Sequence, residues 1–599
     1  MNDPGIESRS LSDFTARARV LVIAGLAVVV ATVSFGAGML LLDMIRAITG
    51  LAYFGRPELS LRPAFIGLHL AQTPLGILAV IVPVLGGLLA GLMARYGTPQ
   101  IRGHGIPEAL EAILIGRSRM RIKTAILKPL ASALVIGTGG PFGAEGPIIM
   151  TGGAIGSLIA QALPVTDRER KTLLVAGAVA GMTAVFGTPI AAVLLAVELL
   201  LFEWAPRSFI PVVVAAIVAE LERASWHVPS PLFPVSGLMA LTGRDLAGWL
   251  VVGLAGGLLA AGLTRLVYAC EDGFQRLPVH WMWWPALGGI VVGIGGLIDP
   301  HALSVGYGNI ARMLDGAVLP RGALTLLAVK AVIWAIALGS GTSGGVLAPL
   351  LIIGCAMGTA LNGLLPAASP GLWGLLAMAA TMSGAMRAPL TATFFAVELT
   401  GDGHMLVPLL TACASAYTVT VLLLKRSILT EKLARRGHHI TCEYAIDPLA
   451  VTRVSDALSE SVETVSPSAT LDEAATLLKG PAREPNMPVA DAAGRVYGIV
   501  NPATLAEWRR LGMAGHTTLG AALTRPPDVA YPDECLASVA ERLSALGQSS
   551  LPVVSRDTGH LVGAIGWSDA MAVRTRLHAA EEERSAFLVR TRKRTRPDR

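Results

Sequence analysis

One acidic residue stands where ion chemistry is expected. Glu145 lies in the glycine-rich segment Gly137–Pro147, which opens onto the apolar run Ile148–Met150. A carboxylate at membrane depth costs at least ~2.5–3.5 kcal/mol on insertion scales and usually marks an ion or proton path. Glycines let the backbone approach a ligand, and Pro147 suits the first turn of a helix. Because a helix N-terminus attracts anions, the pattern predicts that Glu145 is a built-in anion that gates such a site.

The rest of the chain has the composition of an integral membrane protein. Of its 599 residues, 53% are hydrophobic and 15% charged, and the mean hydropathy is +0.60. Apolar segments near the ~20 residues needed to cross a bilayer predict transmembrane helices. The clearest are Val20–Leu42, Gly76–Met93, Trp249–Val267, Trp284–Ile298 and Leu406–Leu424. Shorter segments, interrupted by Gly and Pro, predict broken helices, which are tolerated where they line a cavity or are buried. These are Leu130–Ile136, Ile148–Leu163, Val346–Leu361 and Leu372–Met382. The mixture predicts a channel or transporter.

The ends of the chain carry less information. The first apolar stretch is too long for a signal-peptide core, so we interpret it as a retained span. The basic residues Arg9, Arg17 and Arg19 predict a cytoplasmic N-terminal segment, residues 1–19. The basic tail, residues 576–599, is interpreted as solvated rather than lipid-bound. The net charge is a modest +6. The five cysteines show neither a disulfide framework nor metal-ligand spacing. They are Cys270, Cys355, Cys413, Cys442 and Cys535.

The apolar region repeats itself at an offset of about 200 residues. Matching pairs are Pro147 and Pro349, Gly152 and Gly354, Gly156 and Gly358, Pro189 and Pro389, and the strings Ala196–Leu199 and Ala396–Leu399. Two related halves predict a repeat transporter fold with an ion site where half-helix ends meet. Glu145 matches Leu347, so only one half carries the charge. Glu198 and Glu398 occur in both halves, and we interpret them as structural helix-end carboxylates.

Four motifs in this order resemble the CLC family of chloride channels and chloride/proton antiporters. Gly103–Glu108 (the first loop) looks like the first anion-binding loop of that family, and Gly143–Pro147 (the second loop) looks like its gating-glutamate loop. Gly344–Pro349 (the third loop) looks like the third, and Ser427–Gly437 is similar to the last, re-entrant helix. The resemblance covers about residues 20–437. It implies an all-α, multi-span membrane domain with broken and re-entrant helices.

The resemblance also implies a homodimer in a bacterial inner membrane, with one chloride pathway in each subunit and both termini cytoplasmic. Glu145 would be the external gate, which competes with the anion when deprotonated. Backbone N–H groups would hold the anion, because they attract it without a full countercharge that would trap it. The implied anion-binding residues are His104, Gly105, Ile106, Pro107, Ala144, Glu145, Gly146, Val346, Leu347 and Leu429.

The chain departs from the family pattern at several of these positions. His104 stands where serine is common, Leu347 where phenylalanine is usual, and Leu429 where a tyrosine hydroxyl is usual. We therefore expect weaker anion binding that depends more on the backbone. Many antiporters of the family carry an internal glutamate where this chain has Leu199, which favours a channel. A chloride/proton antiporter that uses Glu145 as its external proton acceptor is the alternative.

After a linker, residues 438–453, the composition becomes that of a soluble α/β region. Two comparable units, 454–510 and 517–575, each combine a proline-containing extended segment, a helix and two short strands. They resemble a tandem pair of CBS domains, which often bind adenine nucleotides. Asp569 fits the nucleotide aspartate, but Gly566 stands where a hydroxyl residue is expected. We favour a dimer-stabilising scaffold over nucleotide binding and expect no cofactor.

Two other classes of function have less support in the sequence. A membrane-embedded CBS sensor without transport is the weaker alternative, favoured by Leu347 and Leu429 and opposed by the intact glycine loops. An enzyme has no support, because the sequence shows no nucleophile–base pair, metal cluster or phosphate loop. Membrane lipid is an expected partner and nucleic acid is not. Chloride is favoured among anions through the family alone.

Overall fold

The computed structural model describes residues 18–57, 73–235, 245–366, 369, 371–437, 449, 452–458, 463–478, 487–523, 527–573 and 575–576. The chain divides into two compact units between residues 442 and 443. Most of the predicted N-terminal segment and linker, Cys442 and nearly all of the basic tail lie outside the described residues. The four described cysteines are free thiols. In the described part of the chain, no group of three or more metal-ligating side chains could hold an ion.

The first unit is helical, and its helices form two series. The first series is α1 (Arg19–Phe54), α2 (Ile81–Tyr96), α3 (Ile106–Leu114), α4 (Ile122–Gly137), α5 (Glu145–Gln161), α6 (Asp167–Phe186), α7 (Pro189–Leu195) and α8 (Pro206–Ser225). The second is α9 (Asp245–Gln275), α10 (Trp284–Ile298), α11 (Tyr307–Leu314), α12 (Pro320–Gly339), α13 (Leu347–Ala360), α14 (Leu372–Met386), α15 (Pro389–Thr400) and α16 (Leu406–Leu423). A last helix, α17 (Thr430–Arg435), follows.

The two series confirm the internal repeat. Helices α3, α5, α7 and α8 begin at residues 106, 145, 189 and 206, and their counterparts α11, α13, α15 and α16 begin at residues 307, 347, 389 and 406. Repeated glycines have a physical reason. A Cβ atom on Gly156 would lie 2.0 Å from the Leu173 carbonyl oxygen, and one on Gly358 would lie 2.0 Å from that of Trp373. The glycines thus let α5 pack closely on α6, and α13 on α14.

Within the described residues, six helical segments are long and apolar enough to cross a membrane. They are Arg19–Phe54, Gly76–Tyr96, Asp245–Gln275, Trp281–Ile298, Pro320–Gly339 and Gly403–Leu423. Five correspond to the clearest apolar segments of the sequence, and Pro320–Gly339 was not among those. The prediction of broken helices is confirmed at α5, α13 and α14, which have 17, 14 and 15 residues, against about 20 needed to span. Helix α11, with 8 residues, is a further short helix that the sequence did not single out.

A reciprocal pair of carboxylates joins the two halves. Glu198 lies in a π-helical extension of α7, Ala196–Leu201, and accepts hydrogen bonds from the Leu390 and Thr391 N–H groups at the start of α15. Glu398, near the end of α15, accepts from the Ile190 and Ala191 N–H groups at the start of α7, at 2.9 and 2.8 Å. Each carboxylate therefore caps a helix of the other half. This confirms their interpretation as helix-end carboxylates.

The second unit is a small α/β region. Its helices are α18 (Leu471–Leu477), α19 (Pro502–Arg510), α20 (Leu519–Ala522) and α21 (Leu536–Leu546), and its strands are β1 (Met487–Ala490), β2 (Val496–Val500), β3 (Ser550–Val554) and β4 (Leu561–Gly566). Strand β1 pairs antiparallel with β2, with Met487 opposite Val500, and β3 pairs antiparallel with β4.

The N-terminal segment of each predicted CBS-like unit packs into the core of the other unit. Val454, at the start of the first, donates its N–H to the Glu534 carbonyl and belongs to the core of the second. Leu519, early in the second, belongs to the core of the first. The exchange makes the two units fold together, because neither core is complete from one contiguous segment.

Candidate functional site

The second and third loops meet as a two-residue antiparallel bridge. The Gly345 N–H donates to the Gly143 carbonyl at 2.9 Å, and the Gly143 N–H donates to the Gly345 carbonyl at 3.4 Å. The first loop packs on the same point. A Cβ atom on Gly146 would lie 2.0 Å from the His104 carbonyl oxygen and 3.1 Å from the Gly345 Cα atom. The three predicted loops therefore converge in one buried place.

Each loop delivers the N-terminus of a helix to this place. The first hydrogen bonds inside α3, α5 and α13 are donated by Ala109, Ile148 and Leu350. The N–H groups that precede them, at the start of each helix, lie at helix ends, where no intrahelical acceptor exists. Helix α3 begins after Gly105, whose φ of +92° favours glycine. Three helix ends that meet with their positive dipole ends are suited to attract an anion.

Glu145 places its carboxylate at this convergence. The residue has no exposed surface, and its Oε1 accepts a hydrogen bond from the Tyr307 hydroxyl at 2.5 Å. Its Oε2 has no hydrogen-bond partner among the described residues. A Cβ atom on Gly345 would lie 2.5 Å from Oε2, so the carboxylate lies directly against the third loop. The backbone N–H of Ala348, in the first turn of α13, faces it.

Tyr307 is a site residue that the sequence analysis missed. It is the first residue of α11, and its ring is buried against Phe186, at 5.8 Å between ring centroids, and Phe233, at 6.2 Å. The internal repeat contains a signal for it. Gly306 and Tyr307 follow Gly105 and Ile106 by 201 residues, so Tyr307 stands where the first half has a predicted anion-binding residue.

Two buried lysines hold the loops that precede these helices. Lys128 donates to the carbonyl oxygens of Ile101 and Gly103, at 2.8 and 2.6 Å. Lys330, its equivalent 202 residues later, donates to those of Ala302 and Ser304, both at 2.8 Å. Both ammonium groups lie in the protein interior, where a charge needs such partners. They add positive charge beside the site, and Lys330 interacts electrostatically with Glu145.

The structure buries all ten predicted anion-binding residues. His104 is 3% exposed, and its Nδ1 has no hydrogen-bond partner in the described part of the chain. Leu429 is fully buried and precedes α17, which an ion pair of 2.7 Å between Lys432 and Glu108 ties to α3. The loops bring together His104, Gly105, Glu145 and Gly146, and they place Gly345, which Val346 and Leu347 follow in the chain, against Glu145 and Gly146. Leu429 is connected to the three loops indirectly: its chain neighbour Ile428 lines a cavity together with His104.

In the second unit, Asp569 is used for capping. Its Oδ2 accepts a hydrogen bond from the Gly566 N–H at 2.8 Å, at the start of the helical segment 567–573. In the first unit, Asn501 corresponds to Gly566 and Thr504 corresponds to Asp569. There the Asn501 side chain accepts from the Thr504 N–H at 2.8 Å and caps α19. A nucleotide role for Asp569 stays a prediction.

A membrane domain of two related halves, with three helix N-termini converging on one buried place, is the architecture of an anion-transporting membrane protein. Comparison with known proteins agrees. A model of the voltage gated chloride channel family matches residues 86–421, and a CBS domain model matches residues 454–510. The chain is 31% identical over 372 residues to a voltage-gated ClC-type chloride channel ClcB of Escherichia coli, covering 60% of this chain and 87% of that one. It is 27% identical over 366 residues to a putative ClcB-like chloride channel protein of Ralstonia nicotianae, covering 59% and 85%.

Two solved structures share the fold. A slow cyanobacterial Cl⁻/H⁺ antiporter has a TM-score of 0.61 at 22% identity, covering 70% of this chain and 99% of that one. A eukaryotic CLC transporter has a TM-score of 0.57 at 18% identity, covering 92% and 98%. This chain belongs to the CLC family, whose members are transporters and channels, and it carries a C-terminal CBS domain.

Proposed function

We propose that the protein conducts chloride and related small anions across the bacterial inner membrane through one pathway in each subunit of a homodimer, with Glu145 as the gate. The observation that carries this proposal is the position of the Glu145 carboxylate. It is a buried negative charge at the meeting point of the second and third loops, beside the starts of α5 and α13. A carboxylate in such a position competes with any anion that binds there.

The backbone supplies the attraction for the permeating ion. N–H groups at the starts of α3, α5 and α13 are fixed by the fold and carry partial charges, so they attract an anion without holding it permanently. His104, Leu347 and Leu429 offer no hydroxyl group to it. We infer that anion binding is weaker and more dependent on the backbone than a site with hydroxyl donors would give.

Passive conduction is favoured over proton exchange by the surroundings of α7. Leu199, where an internal carboxylate would be expected in many exchangers, is apolar and 8% exposed. The neighbouring Glu198 carboxylate already accepts two backbone hydrogen bonds and one from the Thr391 hydroxyl. A carboxylate bound in this way caps a helix and is poorly suited to carry a proton.

One observation favours proton exchange. The Glu145 carboxylate is fully buried, and its Oε2 lacks a hydrogen-bond partner among the described residues. A buried charge with incomplete partners is costly, so binding a proton is one way for this group to release the site. An antiporter with Glu145 as external proton acceptor is therefore the second candidate.

Reconstitution into liposomes separates these candidates. Chloride efflux and external pH are recorded together for the wild type, Glu145→Ala and Glu145→Gln, with Glu507→Gln, an exposed carboxylate of the second unit, as control. We expect chloride efflux without coupled proton movement, altered in both Glu145 variants and unchanged in the control. Proton uptake that follows chloride and disappears in the Glu145 variants would establish the antiporter. No flux from folded wild-type protein would favour a sensor.

For the C-terminal region we propose a scaffold that stabilises the dimer. The exchange of leading segments between its two units supports a structural role, and the Asp569 carboxylate is already engaged by the Gly566 N–H. Thermal unfolding of the full chain with and without ATP or AMP tests the alternative. A stabilisation that grows with nucleotide concentration and disappears in Asp569→Ala would establish nucleotide binding.

A further inference from the structure

A cavity of about 480 Å³ lies beside the first loop, within the membrane unit. Its walls come from the first loop and the residues just before it, the C-terminal part of α9, the start of α10 and α17. Arg102 and His104 form one wall, and Trp281 and Trp284 form another. A space of this size matches the lower range of small-molecule sites, so it can hold a polyatomic ion with water.

Four cationic side chains line this cavity, and three of them have acidic partners. Lys432 pairs with Glu108 at 2.7 Å. Arg435 pairs with Asp272, and Arg436 pairs with Glu111 and Glu108. The fourth cation, Arg102, makes no ion pair with any residue that the structure describes. Glu271, on the same cavity wall, attracts it only at longer range.

Aromatic faces hold the Arg102 guanidinium instead. Its central carbon lies 4.7 Å from the centroid of the Trp281 ring and 5.6 Å from that of Trp284. The guanidinium also lies against Gly341, since a Cβ atom there would be 2.8 Å from one of its terminal nitrogens. Its Nε has no hydrogen-bond partner in the described ranges. A guanidinium packed by its faces keeps its edge N–H groups for another acceptor.

We propose that Arg102 is an anion-binding residue of this cavity and that it prefers planar oxyanions, such as nitrate, to chloride. The planar fork of N–H donors matches two oxygens of a planar oxyanion, whereas a spherical halide engages it as a point charge only. Arg102 immediately precedes the first loop, so an anion bound to Arg102 would lie next to the backbone N–H groups of that loop. The inference rests on the proposed transport function, which it extends with a second site and a substrate preference.

Comparison of the two halves supports a role of Arg102 that has no counterpart in the second half. The position 201 residues after Arg102 is Leu303, a buried apolar residue, whereas the neighbouring structural elements are duplicated. A residue needed only to hold the loop would be expected in both halves, as Lys128 and Lys330 are. Arg102 therefore adds a charge to one half alone, as Glu145 does.

Nitrate and chloride titrations of the purified full-length protein in detergent test the site by calorimetry. We compare the wild type with Arg102→Gln, Arg102→Lys and Arg435→Gln. The Arg102→Gln and Arg435→Gln variants remove one cavity cation each, but Arg435 is already paired with Asp272. We expect nitrate affinity to fall on the order of ten-fold in Arg102→Gln and chloride affinity to fall less. Arg102→Lys should keep chloride binding and lose the preference for nitrate, and Arg435→Gln should resemble the wild type.

Two outcomes overturn the proposal. Equal losses in Arg102→Gln and Arg435→Gln would mean that the cavity acts through net charge alone, and unchanged nitrate binding in both Arg102 variants would mean that Arg102 binds no anion. Gel filtration of each variant confirms the fold before titration. Liposome flux distinguishes a failure of the Arg102 proposal from a failure of the proposed transport function. Flux that persists in Arg102→Gln with an unaltered nitrate-to-chloride ratio contradicts this site only, whereas absent flux in the wild type contradicts transport itself.

Discussion

The Tyr307→Phe substitution removes a single oxygen atom beside Glu145, the proposed gate. The Tyr307 hydroxyl donates to Glu145 Oε1 at 2.5 Å, and both residues are buried. The Phe186 and Phe233 rings around Tyr307 are apolar, so phenylalanine fits the same space. The variant therefore changes the hydrogen bond to the carboxylate and leaves the packing in place.

The expected effect follows from the energy of that bond. A hydrogen bond to a charged group contributes about 1.5–3 kcal/mol, and 1.4 kcal/mol is about a ten-fold change in an equilibrium constant. In Tyr307→Phe, the carboxylate loses its hydrogen bond from the Tyr307 hydroxyl, and the backbone N–H of Ala348 remains near it. The carboxylate should leave the anion site more readily, by about ten-fold or more. Because apparent affinity scales with the fraction of open sites, chloride should bind more tightly and flow faster.

Chloride titration of the purified protein and chloride efflux from liposomes measure these two effects. Tyr53→Phe is the matched control, since the Tyr53 hydroxyl is also buried and donates to the Thr138 carbonyl at 3.0 Å. The control should lose some stability without a change in chloride affinity. If Tyr307→Phe and Tyr53→Phe behave alike while Glu145→Gln alters flux, the hydroxyl does not hold the gate and the reasoning is wrong.

Two further predictions concern the junction of the halves. Gly345→Ala should destabilise the protein by about 1–3 kcal/mol and disturb chloride flux, because its Cβ atom would lie 2.5 Å from Glu145 Oε2. Gly262→Ala, with no atom within 4 Å of its Cβ position, is the control and should leave the thermal unfolding midpoint unchanged or slightly higher. Glu398→Ala should cost about 0.5–2 kcal/mol by uncapping α7, seen as a lower unfolding midpoint, and an unchanged midpoint would refute the capping role.

The sequence was sufficient for the features that depend on local pattern and repetition. The second loop was predicted from its glycines and Pro147, because glycine frees the backbone and proline suits a helix start. The two halves and the helix-end role of Glu198 and Glu398 were predicted from the repeat, and the first and third loops from the family resemblance. The Pro320–Gly339 span was missed among the clear segments. It contains Lys330, whose charge interrupts the apolar pattern although its ammonium group is bound by two carbonyl oxygens in the interior.

Side-chain contacts across the repeat could not be predicted in the same way. Tyr307 reaches Glu145 over 162 positions of the chain, and Arg102 reaches Trp281 over a similar separation. Neither contact leaves a periodic pattern, since only the packing of the halves brings the residues together. The exchanged leading segments of the C-terminal units were missed for the same reason. Two similar sequence blocks do not reveal which block completes which core.

The proposed gate combines residues of the two halves at positions where the halves differ. Glu145 in the first half corresponds to apolar Leu347 in the second, and Tyr307 in the second corresponds to apolar Ile106 in the first. The charge of one half is thus met by the hydroxyl of the other, at helix starts that the repeat places together. Two identical halves would offer either two carboxylates, which repel, or none. The asymmetry therefore allows a symmetric scaffold to hold a single charge, as the proposed gate requires.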